Sequence, residues 1–173
     1  MVEFFNRIIW FLLLLFLQVL VFNHIHILGY ATPLVYIYLI LLFPLGTSRW
    51  SLLLWGFLLG FCIDTFSNTP GVASSTLTLM AMIQPILLKV FVPRDATEEL
   101  KWHPAAGTMG WGAFIRYLAC GVLLYVTMFF LLESFSFFNE TILLYSIGGS
   151  TLLTILILIA FEGIRNSRLK SKI

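Results

Sequence analysis

The sequence predicts an all-α, polytopic membrane protein that forms a single membrane domain, residues 1–173. Of its 173 residues, 60% are hydrophobic and only 10% are charged, and the mean hydropathy is +1.00. A soluble domain carries about 25% charged residues, so this chain has too few to cover a water-soluble globule. Long apolar runs alternate with short polar breaks, and the basic residues fall beside only some of these breaks. These observations predict a helical bundle within a lipid bilayer.

The apolar runs divide the chain into six predicted transmembrane helices, each near the roughly 20 residues that cross the hydrocarbon layer. They comprise approximately residues 6–22, 30–45, 50–66, 72–92, 113–132 and 141–161. The first has no small-residue cleavage site after it, so we expect a retained span and not a signal peptide. Its one strongly polar interior residue, Gln18, is expected to hydrogen-bond another helix.

The middle spans are bounded by proline and glycine. Span two is short, with Pro33 near its start and Pro44 at its end. Spans three and four meet at a turn, residues 67–71, and Pro85 is expected to kink span four. A polar loop, residues 93–112, separates span four from span five.

The basic residues predict the orientation. They are Arg7, Arg49, Lys89, Arg94, Lys101, Arg116, Arg165, Arg168, Lys170 and Lys172. With six spans, all of them lie at or beside the termini, loop two–three or loop four–five, which share one side of the membrane. The positive-inside rule makes this side the cytoplasm, with both termini inside.

Motifs for catalysis or for metal binding are missing from the sequence. There is no phosphate-binding or dinucleotide-binding glycine motif and no zinc-ligand spacing. His24, His26 and His103 fall in predicted loops, and Cys62 and Cys120 lie in apolar spans where small hydrophobic side chains are common. We therefore expect no enzymatic activity, no cofactor and no metal.

The strongest local signal is Gly56-x3-Gly60-x3-Asp64 in span three. Residues four apart share one helix face, and glycines on that face let another helix come close. Asp64 lies about 21 Å along the helix from Trp50, near the outer end. Three interpretations are open for it: a packing face in which Asp64 reaches the outer interface or bonds span four, a proton or cation site, and direct contact with a partner protein. On the packing interpretation its expected partners in span four are Ser74, Ser75 and Thr78.

The stretch WGFLLGFCIDTFSNTPGVASSTLTLMA resembles the signature region of the MreD family of bacterial rod-shape-determining membrane proteins. Gly56, Gly60 and Asp64 match the family's G-x-x-x-G-x-x-x-D pattern, and Pro70 and Gly71 match its turn. The length, the six-span count and the basic tail also agree. The motif covers about thirty residues.

The resemblance implies a six-helix bundle like the substrate-binding subunits of energy-coupling-factor vitamin transporters. It also implies a non-enzymatic scaffold in the bacterial cytoplasmic membrane. Such a protein would bind the bitopic protein MreC and help couple MreB filaments to lateral peptidoglycan synthesis, with the wall enzymes and MreB as indirect partners. The lipid bilayer is its environment, and nucleic acid is not an expected partner.

The alternative is a vitamin-uptake subunit itself. Those proteins usually carry an alanine-rich stripe on span one, for docking to the coupling subunit of the transporter. Span one of this chain consists mainly of large apolar residues instead, which favours the scaffold over the transporter.

Overall fold

A computed structural model describes residues 2–22, 31–92, 103–134 and 140–170. Within these ranges the regular structure is helical, as predicted, and there is no strand. The helices are Val2–Leu20 (α1), a 3₁₀ turn Val35–Ile37 followed by Tyr38–Leu41 (α2), Arg49–Ser67 (α3), Val72–Phe91 (α4), Ala106–Met109 (α5), Trp111–Glu133 (α6) and Glu140–Lys170 (α7).

Four helices are long and apolar enough to cross a membrane: α3, α4, α6 and the Thr141–Ser167 part of α7. The apolar stretch of α1, Phe5–Leu20, is shorter. Large apolar side chains are exposed on the outside of the bundle, including Trp50 at 85% and Val90 at 73%. Such a surface suits lipid and not water. The chain is therefore a helical membrane protein, as the composition predicts.

The long helices pack in chain order around one apolar core. The contact between α3 and α4 is the most extensive, followed by those of α4 with α6 and of α6 with α7, and α1 packs on α3. Leu59, Leu77 and Tyr117, from α3, α4 and α6, are each completely buried. The α4 helix continues through Pro85.

Residues 31–44, which we call the broken segment, differ from the prediction of a continuous helix over residues 30–45. In the described part, residues 31–34 are not helical, and the 3₁₀ turn and α2 together cover only residues 35–41. Pro33 lacks an amide N–H and biases the residue before it toward extended backbone. The backbone groups that a helix would pair internally must therefore find other partners.

The broken segment runs antiparallel to α1. Gln18 near the end of α1 contacts Pro33, and Trp10 packs edge-on against Tyr38 with ring centroids 6.0 Å apart. Near the start of α1, the guanidinium of Arg7 lies 4.9 Å from the centre of the Phe43 ring. The segment therefore passes from one end of the bundle to the other without forming a long helix.

The last helix is longer than predicted. Span six was expected to end near residue 161, whereas α7 continues to Lys170. The added turns carry Arg165, which pairs with Glu162 one turn earlier at 2.9 Å and so supports the helix. In the polar loop, Asp95-Ala-Thr-Glu98 has the spacing of a capping box and predicts a short helix. This segment and the aromatic residues 135–139 lie outside the described residues.

Candidate functional site

A well-formed polar site lies at the end of α3, where Asp64 caps α4. The Asp64 residue is buried, with 7% of its surface exposed. Its Oδ1 accepts the backbone N–H of Ala73 at 2.8 Å and the Thr69 hydroxyl at 3.1 Å, and its Oδ2 accepts the backbone N–H of Ser74 at 2.8 Å. The first amides of a helix have no partner within the helix and carry partial positive charge. Asp64 therefore satisfies two of these donors from a neighbouring helix.

The turn between the two helices explains why a remote residue must supply this cap. Gly71 occupies the N-cap position of α4 with a φ of 86°, and it has no side chain that could accept a hydrogen bond. Asn68 ends α3 in the left-handed conformation with a φ of 55°, and its amide donates back to the Asp64 carbonyl. Asparagine and glycine tolerate this conformation better than other residues. The turn thus folds Ala73 and Ser74 onto the Asp64 side chain.

The glycines of the motif lie at the closest approach of α3 and α4. A Cβ atom on Gly60 would lie 2.4 Å from the Cα of Ser74 and 2.6 Å from its nitrogen. A Cβ on Gly56 would lie 3.0 Å from the Leu77 carbonyl oxygen and 3.2 Å from the Ala81 Cβ. Hence Gly56, Gly60 and Asp64 form one face that joins α3 to α4.

The hydroxyl groups expected near Asp64 are engaged elsewhere. Ser75 Oγ donates to the Gly71 carbonyl at 2.6 Å, and Thr78 Oγ1 donates to the Ser74 carbonyl at 2.6 Å. Ser74 reaches Asp64 through its backbone amide. Pro70 is exposed in the turn. Among the described hydrogen bonds, Ser74 is therefore the one predicted partner in α4 that bonds the carboxylate.

A second buried carboxylate, Glu162, directly follows the predicted span six, at a span end where the sequence did not indicate burial. Glu162 is 1% exposed. One oxygen accepts the Tyr38 hydroxyl at 2.5 Å, the other accepts the Ala106 backbone N–H at 2.8 Å, and Arg165 Nη2 lies 2.9 Å from the carboxylate. Asp64 is therefore not the only buried carboxylate among the described residues. The i, i+3 pair of Glu162 and Arg165 after a long apolar run was the available signal.

Side chains from distant helices satisfy the backbone of the broken segment. Gln18, which is completely buried, donates to the Pro33 carbonyl and accepts the Val35 amide, both at 3.0 Å. On α7, Ser150 Oγ accepts the Thr32 amide at 2.9 Å and Thr154 Oγ1 accepts the Leu34 amide at 3.0 Å. The predicted partner of Gln18 was another helix, whereas the structure shows that it bonds the non-helical backbone of this segment.

Two residues hold the other end of the same segment. Tyr117 on α6 donates to the Leu41 carbonyl at 2.9 Å, and Gln84 on α4 donates to the Phe43 carbonyl at 3.2 Å. Non-helical backbone is tolerated inside a membrane protein only where protein or water satisfies its polar groups. These bonds, with those from Gln18, Ser150 and Thr154, meet that requirement.

Cavities lie at opposite ends of the bundle. The larger, about 420 Å³, we call the Glu133 cavity; the smaller, about 140 Å³, we call the Arg165 cavity. The Glu133 cavity adjoins the last turns of α1, α3 and α6 and is lined by Val19, Leu20, Thr32, Leu34, Tyr36, Ile63, Phe66, Ser67, Thr69, Phe129, Phe130 and Glu133. The Arg165 cavity adjoins the start of α1 and the last part of α7 and is lined by Asn6, Arg7, Trp10, Leu39, Leu42, Phe43, Pro44, His103 and Arg165.

Histidine, cysteine and carboxylate side chains are the candidates for metal or redox chemistry. In the described part of the chain, no three His, Cys, Asp or Glu residues are grouped in a way that could hold a metal ion. Cys62 and Cys120 are both free thiols. His24 and His26 lie outside the described ranges.

Comparisons with protein-family models, with curated proteins and with solved structures find no significant match to this chain.

Proposed function

We propose that the chain is a non-enzymatic membrane scaffold of the MreD family, acting in the bacterial cell-elongation complex. In this role it links MreC and, less directly, MreB filaments to lateral peptidoglycan synthesis at the cytoplasmic membrane. The observation that carries the proposal is that all three residues of the Gly56-x3-Gly60-x3-Asp64 motif contact α4. The Asp64 carboxylate accepts hydrogen bonds from amides of α4, and the glycines pack against α4. Such contacts suit a motif with a structural role.

We propose six membrane crossings with both termini in the cytoplasm. The two cavities support this topology, because the ends of the described helices fall into two groups, one beside each cavity. The ends of α1, α3 and α6 fall at the Glu133 cavity, and the start of α1 and the end of α7 fall at the Arg165 cavity. The broken segment supplies the second crossing, from Thr32 at the first cavity to Pro44 at the second. Basic residues Arg7 and Arg165 lie at the second cavity, as the positive-inside rule requires of the cytoplasmic side.

Lipid-facing helix surfaces suit contact with a single-span partner such as MreC. On α3, Phe57 and Phe61 are exposed and stack with ring centroids 6.1 Å apart. They lie on a different face from Gly56 and Gly60, which α4 covers. A partner helix can therefore pack on α3 without disturbing the hairpin.

The alternative function, a substrate-binding subunit of a vitamin transporter, is favoured by one observation. The Glu133 cavity is large and combines apolar walls with Thr32, Thr69 and Glu133, which is the usual composition of a small-molecule site. Against it, α1 exposes Leu12, Leu13 and Phe16 where a transporter subunit would offer a small-residue docking stripe.

Purification from native membranes distinguishes the two functions. A scaffold is expected to co-purify with a single-span partner, and its depletion is expected to round the cells. Rod-shaped cells after depletion, together with a purified protein that retains a vitamin, would overturn the scaffold proposal.

A further inference from the structure

We propose that the Arg165 cavity binds a phosphate-bearing anion between the guanidinium groups of Arg7 and Arg165. Its chemical class is a phosphate ester or free phosphate, carried either by the head group of an anionic phospholipid or by a soluble molecule. This inference does not depend on the scaffold role, because it rests on the cavity alone.

The two arginines reach the cavity from distant parts of the chain. Arg7 lies in the second turn of α1 and Arg165 near the end of α7, and both line the cavity with His103. Asn6 adds an amide to the same wall. Guanidinium groups present several N–H donors in a planar fork, which matches the oxygens of a phosphate.

Glu162 holds Arg165 in place and leaves part of its guanidinium available. Arg165 Nη2 lies 2.9 Å from the Glu162 carboxylate. Its Nε is buried and has no hydrogen-bond partner among the described residues. Nε itself is out of reach of a ligand, but Arg165 lines the cavity and its side chain is 24% exposed, so a ligand oxygen can contact the accessible part of this side chain.

Two arginines contribute cationic groups to the lining of the cavity. Arg7 packs on the Phe43 ring, with its guanidinium carbon 4.9 Å from the ring centre. Glu162 neutralises one guanidinium, and its oxygens are already used by Tyr38 and Ala106. An anion in the cavity would be attracted by both guanidinium groups.

The remaining wall suits a lipid as the carrier of the phosphate. Trp10, Leu39 and Leu42 give the cavity an apolar side, and Ile9 and Leu13 are exposed on the adjoining surface of α1. A cavity of 140 Å³ exceeds the 10–15 Å³ that a water needs, so it has room for a phosphate group. Basic pockets between membrane helices commonly take anionic lipid head groups.

The test is lipid binding to the full chain, purified in detergent and measured by native mass spectrometry. Phosphatidylglycerol is the anionic probe and phosphatidylcholine, whose head group is neutral overall, is its counterpart. We expect phosphatidylglycerol to bind preferentially and Arg7→Gln to weaken its binding about tenfold, the usual effect of losing one charge-assisted bond. Arg116→Gln is the matched control, because Arg116 is an exposed cation that bonds its own helix at Gly112 and does not line the cavity.

A second variant changes Arg165 in a way that avoids leaving a buried unpaired charge. Arg165→Gln alone would leave Glu162 buried without its partner, so it is made together with Glu162→Gln, which removes both charges. This double variant is expected to bind phosphatidylglycerol as weakly as Arg7→Gln does. Both must run as monodisperse protein on size exclusion.

Competition with inorganic phosphate identifies the carrier. Release of phosphatidylglycerol by millimolar phosphate assigns the site to soluble phosphates, and its retention assigns the site to the lipid; both outcomes support a phosphate site. The proposal is overturned if neither phosphatidylglycerol nor inorganic phosphate binds more weakly to Arg7→Gln than to Arg116→Gln.

Discussion

Gly60 and Ser74 are in such close contact that a single methyl group on Gly60 would lie 2.4 Å from the Ser74 Cα atom. The atoms on the other side are backbone, with the Ala73 carbonyl oxygen also only 2.7 Å away. Backbone in a capped helix cannot yield as the end of a flexible side chain can. The separation of α3 and α4 is therefore determined by the missing side chain at position 60.

The first prediction concerns this contact. Gly60→Ala is expected to destabilise the protein by about 2–4 kcal/mol, because overpacking costs about 1–3 kcal/mol and the shift also strains the Asp64 cap. The measurement is thermal unfolding in detergent. Gly148→Ala is the control, since a Cβ at Gly148 would meet nothing within 4 Å. Equal melting temperatures for the two variants would contradict the close contact.

The second prediction distinguishes a structural role of Asp64, as the cap of α4, from a role that depends on its ionisation. Asp64→Ala leaves the Ala73 and Ser74 amides without their acceptor and is expected to cost about 2 kcal/mol or more. Asp64→Asn keeps one acceptor oxygen and is expected to lie between alanine and wild type. Both are measured by unfolding and by partner co-purification. If Asp64→Asn kept wild-type levels and partner binding but lost the function in cells, an ionisation role would replace the structural one.

The third prediction concerns the broken segment. Gln18→Leu removes the partner of both the Pro33 carbonyl and the Val35 amide and is expected to destabilise the fold by about 1–3 kcal/mol. Hydrogen exchange at residues 33–35 should increase. Leu13→Ala on the exposed face of α1 serves as control. Exchange that rises equally in both variants would argue that Gln18 does not hold the segment.

The fourth prediction concerns the buried Glu162. Tyr38→Phe removes one hydroxyl that lies 2.5 Å from the carboxylate, and bonds to charged groups contribute about 1.5–3 kcal/mol. We expect a loss of stability in that range. The loss should largely disappear when Glu162 is already changed to Gln, which a double-mutant cycle measures. An additive cycle would mean that the two side chains do not interact.

The fifth prediction tests the orientation of α3, on which the proposed six-crossing topology depends. In a background with Cys62→Ser and Cys120→Ser, single cysteines are placed at exposed positions, by Pro70→Cys in the turn after α3 and by Ser48→Cys before it. A membrane-impermeant maleimide should label position 70 in intact cells and position 48 only after permeabilisation. The reverse pattern would invert the orientation.

Several features were predictable from local sequence. Apolar runs bounded by turn residues predicted the long helices α3, α4 and α6, because hydrophobic length and turn chemistry act over a few neighbouring residues. The spacing of Gly56, Gly60 and Asp64 likewise indicated one shared helix face. The composition alone predicted a membrane protein.

Only the tertiary structure decided how the buried polar groups pair. Ser150 and Thr154 bond Thr32 and Leu34 across more than a hundred residues, and Glu162 meets Tyr38 over a similar separation. A hydrogen bond depends on positions within about 3 Å, which no local pattern specifies. The sequence by itself therefore determined which segments are apolar and helical, and the packing determined that residues 31–44 could leave the helix and that Asp64 caps α4.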